Sequence, residues 1–132
     1  MSEQHARPRI FVVDDEYIIA STLSTILQRN GFDSTYYTDP LKALEAARQQ
    51  APQLLITDVV MPGLSGIDLA IALKEDCPSC KVLLFSGQAA TANLLQASRE
   101  KGHDFELLSK PIHPTEFLKK IKGVAEEPVE SE

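Results

Sequence analysis

Five side chains in this sequence could do chemistry together: Asp14, Asp15, Asp58, Ser86 and Lys110. Each stands at or just past the end of a short apolar run, the runs covering residues 10–13, 54–56, 82–85 and 105–108. Carboxylates crowded into one pocket repel each other, so they either raise a pKa or collect a cation. An all-oxygen donor set that leaves room for water and a phosphate oxygen suits Mg²⁺, which keeps several of its waters. A lysine alongside would supply fixed positive charge for phosphate oxygens, and a serine a short hydrogen-bond donor that must move inward to reach them. In that setting Asp58 can act as a nucleophile, because carboxylates form acyl phosphates when metal and lysine offset the incoming charge.

Such a pocket needs elements that deliver these residues to one place. The four apolar runs lack in/out alternation, which is the pattern of strands buried on both faces of a parallel sheet. A more polar fifth strand fits residues 33–37 and suggests a sheet edge. In open α/β sheets, ligands bind outside the carboxyl ends of the strands. Strand one ends in Asp14-Asp15-Glu16, strand three in Asp58, strand four in Ser86-Gly87 and strand five in Ser109-Lys110-Pro111. Carboxylates, a hydroxyl and an ammonium are thereby expected at one rim.

Helical segments separate the strands. Ile19, Leu23, Ile26 and Leu27 repeat at helical spacing and Asn30-Gly31 ends the run. Asp39-Pro40 opens the next helix as N-cap and first-turn proline, with Leu41, Leu44 and Ala47 as its expected buried stripe. Helices follow over about 65–76 and 91–101, and a last one begins near Pro114 with Phe117, Ile121 and Val124 on one face. The order is β-α repeated five times, and right-handed crossovers build from it a parallel sheet covered by helices on both sides.

The 132 residues suit one domain, and 43% hydrophobic with 24% charged residues is the balance of a globular protein. No apolar run reaches membrane-spanning length. The polar start lacks a signal-peptide h-region, so a cytoplasmic protein without membrane contact is expected. The net charge is −6, but Glu126, Glu127, Glu130 and Glu132 sit in the last seven residues, which read as a solvated tail. The absence of a basic cluster argues against direct nucleic-acid binding. Cys77 and Cys80 form a C-x-x-C, yet it follows a helix and precedes a strand. A redox pair would need its first thiol at a helix N-terminus. Two thiols without a nearby histidine do not complete a zinc site, so loop thiols are expected. His5, His103 and His113 are expected in surface or capping roles.

Phe11-Val12-Val13-Asp14-Asp15-Glu16, Thr57-Asp58-Val59-Val60-Met61-Pro62-Gly63, Leu84-Phe85-Ser86-Gly87 and Leu108-Ser109-Lys110-Pro111-Ile112 occur in that order. Together they resemble the signature segments of the receiver domain of two-component response regulators. The resemblance implies a flavodoxin-like (βα)5 doubly wound sandwich with a five-stranded parallel sheet in order 2-1-3-4-5, flanked by five helices. It divides the chain into a flexible segment 1–8, a receiver domain 9–125 and a disordered acidic tail 126–132. It further implies Asp58 as phosphoacceptor, Asp14, Asp15, Asp58 and the Val60 backbone carbonyl around Mg²⁺, Ser86 as switch hydroxyl and Lys110 as phosphate-binding lysine. A cis Lys110-Pro111 bond belongs to the same pattern. The implied partners are a histidine kinase or histidine phosphotransfer protein and an unidentified downstream protein, with a phosphorylation-dependent dimer among the forms the output could take. No effector segment follows the last helix, so a stand-alone receiver is expected.

Two positions depart from the family pattern. Leu107, three before Lys110, replaces the usual aromatic, so the signal is expected to pass through Ser86 and residues 87–92. Phe105 has the same strand parity as Leu107 and could be a core residue. Val60, two after Asp58, has no group to orient an attacking water, and slow hydrolysis of the aspartyl phosphate is expected. It also lacks the second acid that small-substrate phosphohydrolases place there, so the chain is expected to be a phosphoacceptor that assists its own phosphorylation and dephosphorylation, not an enzyme of that class. The alternative is a phosphorylation-independent interaction module on the same fold, against which the charged pocket argues.

Overall fold

The computed structural model describes residues 7–87, 91–103 and 105–126. Most of the expected N-terminal segment and nearly all of the acidic tail lie outside the described residues, as do residues 88–90 of the expected signalling segment. Strands and helices alternate as β1 (Arg9–Val13), α1 (Tyr17–Gln28), β2 (Asp33–Tyr37), α2 (Pro40–Gln49), β3 (Leu54–Asp58), α3 (Gly66–Asp76), β4 (Lys81–Ser86), α4 (Thr91–Glu100), β5 (Glu106–Ser109) and α5 (Pro114–Glu126). Every strand pair is parallel and the order is β2-β1-β3-β4-β5, the flavodoxin-like arrangement expected. Among the described residues no helix is long and apolar enough to cross a membrane.

Strand period assigns the core. Ile10, Val12, Leu54, Ile56, Leu83 and Phe85 point to one face and meet Leu23 and Leu27 of α1 and Phe117, Ile121 and Val124 of α5. The alternate residues Phe11, Val13, Leu55 and Leu84 point to the other and meet α2, α3 and α4. Both faces are apolar because both are covered. Phe117 and Ile121 are fully buried, each burial stabilising by about 1.5–3 kcal/mol, and together they hold α5 to the sheet.

Local signals set the helix ends. Asp39 accepts a hydrogen bond from the Leu41 N–H at 3.0 Å with Pro40 at the first position, and Ser65 accepts from the Asp68 N–H at 3.0 Å. Gly31 has a φ of 93°, the left-handed conformation that stops α1.

Two expectations need correction. Leu41 is 61% exposed and the buried stripe of α2 is Pro40, Ala43, Leu44 and Ala47. With the cap at Asp39, Pro40 starts the inward face and Leu41, one step round the helix, turns out. Residues 105–108 are not a strand buried on both faces. Among the described residues β5 pairs only with β4, at the sheet edge, and Leu107 is 38% exposed. Phe105 lies just before β5 and is buried in the same core layer as Leu84 and Leu95.

Parallel register levels the strand ends. Val13 pairs with both Tyr37 and Thr57, Asp58 with Phe85, and Ser86 with Ser109. Asp14, Asp58, Ser86 and Lys110 therefore leave the sheet at one rim.

Candidate functional site

Asp58 is the last residue of β3, a strand buried along its whole length. The Val59 N–H is shared between Asp58 Oδ1 at 3.0 Å and the Phe85 carbonyl at 3.2 Å. The carboxylate is thus held by the backbone just past its own strand, and that backbone is itself tied to β4. The Asp58 carbonyl accepts the Thr57 hydroxyl at 2.9 Å.

Asp14 is completely buried, and both its carboxylate oxygens are engaged. Oδ1 accepts the Glu16 N–H at 2.8 Å and Oδ2 accepts Lys110 Nζ at 3.1 Å. Asp14 does therefore cap the β1-α1 turn, and it also faces the pocket. Asp15 is exposed, yet its carboxylate comes with those of Asp14 and Asp58 into one group whose ligand atoms lie within 4.8 Å of one another.

Lys110 Nζ lies 3.4 Å from Asp58 Oδ1 as well, and 4.9 Å from the centre of the Phe85 ring. Its backbone N–H donates to the Ser86 carbonyl at 3.1 Å, and the following bond to Pro111 is cis. Ser86 is buried at the same rim. Val60 follows Asp58 and Val59 into the β3-α3 loop, with its side chain exposed.

The electrostatics follow from this crowding. Burial pushes the Asp58 carboxyl above the ordinary aspartate range. The Lys110 charge pulls it back down and the Asp14 charge pushes it up again. Partial burial on its own would favour a neutral Lys110 amine. The hydrogen bond and charge of Asp14, then those of Asp58, outweigh burial and raise its pKa, so it stays an ammonium. Three carboxylates with no nitrogen or sulfur donor fit a hard divalent cation such as Mg²⁺.

Beside Lys110 opens an apolar groove of about 560 Å³, lined by Ile18, Ile19, Thr22, Phe85, Pro111 and Ile112. Ile18 is 74% exposed at its edge.

Residues 10–122 match the response regulator receiver domain. The chain belongs to that family. Receiver domains are signalling modules of two-component systems, not small-substrate enzymes, and they generally bind Mg²⁺ at an aspartate cluster. The DNA-binding response regulator MtrA of Mycobacterium tuberculosis is 29% identical over 89% of this chain and 50% of its own length. The response regulator receiver protein CpdR of Brucella abortus is 31% identical over 86% of this chain and 93% of its own. The chain thus spans about half the length of MtrA and nearly all of CpdR. The receiver domain of NtrX from Brucella abortus is 26% identical with a TM-score of 0.79, covering 90% of this chain and 99% of that one. A CheY-like receiver domain protein from Methanospirillum hungatei shares the fold, with a TM-score of 0.82 at 22% identity over 91% of this chain and 94% of that one.

Other candidates stay outside the receiver pocket. Cys77 follows α3 and Cys80 precedes β4; both are free, and burial pushes the Cys80 thiol up to about 12. His113 Nδ1 accepts the Thr115 N–H at 3.2 Å at the start of α5, and His103 stacks on Phe105. His5 lies outside the described residues. Sequence reasoning passed over Phe85, whose ring lies under the lysine, and Gly66, which touches the Asp58 backbone. A glycine in the first turn of a helix already capped by serine was the available signal, since glycine is otherwise unfavourable there.

Proposed function

We propose that Asp58 accepts a phosphoryl group from a phosphohistidine of a histidine kinase or histidine phosphotransfer protein, and that the domain reports it by changing conformation. The observation that carries this proposal is the placement of Lys110, whose ammonium spans two buried carboxylates at 3.1 and 3.4 Å. A buried acid held this way has charge compensation in reach of any oxygen added to it. Asp14, Asp15, Asp58 and the Val60 carbonyl would hold Mg²⁺, which when bound supplies positive charge against the phosphoryl oxygens.

An Asp58 carboxylate oxygen attacks phosphorus as the nitrogen–phosphorus bond breaks, and the imidazole departs with that electron pair. Lys110 follows the phosphoryl oxygens, and the Ser86 hydroxyl donates a hydrogen bond to one of them. The Lys110 N–H bond to the Ser86 carbonyl couples the two movements. The half-exposed Leu107 has no hydroxyl to follow them, so the signal runs through Ser86 and residues 87–92 to the face made by α4, β5 and α5. A downstream protein reads that face, or a second copy does in a phosphorylation-dependent dimer. The apolar groove beside Lys110 gives the phosphodonor a surface next to the acceptor.

Residues 9–125 form the receiver unit in this proposal. It works in the cytoplasm, as its phosphodonor requires, and contacts no nucleic acid itself; the DNA binding in MtrA's name belongs to that longer protein. The test is intact mass after treatment with acetyl phosphate and Mg²⁺, comparing wild type with Asp58→Asn. The expected result is a gain of one phosphoryl group in wild type and none in the variant. No gain in wild type, with unchanged properties in the presence of a beryllofluoride mimic, would instead favour an interaction module that works without phosphorylation.

A further inference from the structure

Resting on Asp58 as the acceptor, we propose that Gly66 is a positioning residue for the pocket: lacking a Cβ, it lets the first turn of α3 close against the Asp58 carbonyl. That closure sets where the Asp58 carboxylate and the Val60 carbonyl stand. A Cβ built at Gly66 would overlap the Asp58 carbonyl oxygen, come within 2.8 Å of the Asp58 carbonyl carbon and reach 3.0 Å from Thr57 Oγ1. The obstructing atoms are backbone, which cannot swing aside as the tip of a side chain could. Gly66 has no positive φ, so what demands glycine here is proximity and not backbone conformation.

The same residue shuts a ring. The Gly66 N–H donates to the Val59 carbonyl at 2.8 Å, tying the end of the β3-α3 loop to its beginning. Inside the ring Met61 is buried in the core, Leu64 packs against it, and the Leu64 N–H donates to the Pro62 carbonyl at 3.1 Å. Val59 is also the residue whose N–H holds Asp58 Oδ1. Opening the ring at Gly66 therefore moves both pocket oxygens contributed by this loop and strand end. Relieving the overlap takes a backbone displacement of about 1 Å, and misplacement on that scale can cost about 100-fold in rate.

Three variants test this. Gly66→Ala forces the ring open. A glycine inserted between Gly63 and Leu64 slackens the ring while leaving Gly66 unchanged. Leu73→Ala lies further along α3 in the core and serves as the control for destabilisation alone. For each, thermal stability, Mg²⁺ affinity by calorimetry and the rate of phosphorylation by acetyl phosphate are measured. Gly66→Ala and the insertion are expected to lose Mg²⁺ affinity and rate by roughly 10- to 100-fold. Leu73→Ala is expected to melt earlier yet keep both near wild type. Should Gly66→Ala fail to fold, the insertion decides. Wild-type affinity and rate in either ring variant, or an equal loss in Leu73→Ala, would overturn the positioning role while leaving Asp58 as acceptor. A wild-type protein that neither binds Mg²⁺ nor gains phosphate would overturn both.

Discussion

Lys110 and Asp14 are 96 residues apart in sequence, yet the ammonium of one lies 3.1 Å from a carboxylate oxygen of the other, and Asp14 has no exposed surface. Removing the lysine leaves a buried negative charge with its partner gone. Lys110→Ala is expected to destabilise the domain by about 2–3 kcal/mol, less than the roughly 3–5 of a wholly buried pair because Lys110 keeps some contact with water. Urea unfolding in EDTA measures this. Phosphorylation by acetyl phosphate should fall at least tenfold in the same variant, since in the proposed function the charge lost is the one that meets the phosphoryl oxygens.

The elevated Asp58 pKa makes stability depend on pH in a definite direction. Because burial raises the folded value above the ordinary 3.8, the native state holds this proton more tightly than the unfolded chain does. The stability linked to that proton is complete below the unfolded pKa and is lost as pH rises through the folded one. Without metal, Asp58→Asn should therefore melt above wild type at neutral pH, and the gap should close as pH falls toward 3.8. Melting curves in EDTA across that range check it; a variant less stable than wild type at neutral pH would show that the Lys110 contact outweighs the cost of burial.

Cys77 and Cys80 should behave as two unlike thiols. Cys80 is buried, and burial lifts its pKa to about 12, so its reactive thiolate is scarce at neutral pH, whereas Cys77 is partly exposed. A thiol reagent at pH 8 should label one cysteine quickly and the second only on unfolding. Cys77→Ser should abolish the fast phase and Cys80→Ser preserve it. For Cys80 the folded pKa again exceeds the unfolded value, here near 9, so its contribution to stability declines as pH rises from about 9 to about 12.

Much of this was legible in the residues, for reasons that differ from place to place. Strands β1, β3 and β4 lie between helix layers, so unbroken apolar runs marked them, and in a parallel sheet the polar residues ending such runs must meet at one rim. Leu41 and β5 misled because a short apolar segment looks alike whether one face or two is covered; only the cap at Asp39 and the edge position of β5 decide. The double grip of Lys110 on Asp14 and Asp58 is tertiary and leaves no local signature. Gly66 reads as a poor choice for a helix until the Asp58 carbonyl is seen to occupy the space a side chain would need.

Val60 offers the last test, because it stands two residues beyond the proposed acceptor Asp58 and is 42% exposed. Hydrolysis of an aspartyl phosphate requires a water aligned opposite the Asp58 oxygen, and a valine side chain can neither donate nor accept the hydrogen bond that would align it. The acyl phosphate is therefore expected to be long-lived in wild type. Val60→Asn and Val60→Glu place an amide or a carboxylate at this exposed position without disturbing the core, so folding should be unaffected. Both should shorten the phosphate lifetime several-fold, with Mg²⁺ affinity near wild type because the variants keep the backbone carbonyl. Loss of the phosphoryl mass after removing excess acetyl phosphate gives the lifetimes. A wild-type half-life of seconds, or variants no faster than wild type, would mean that another group positions the water.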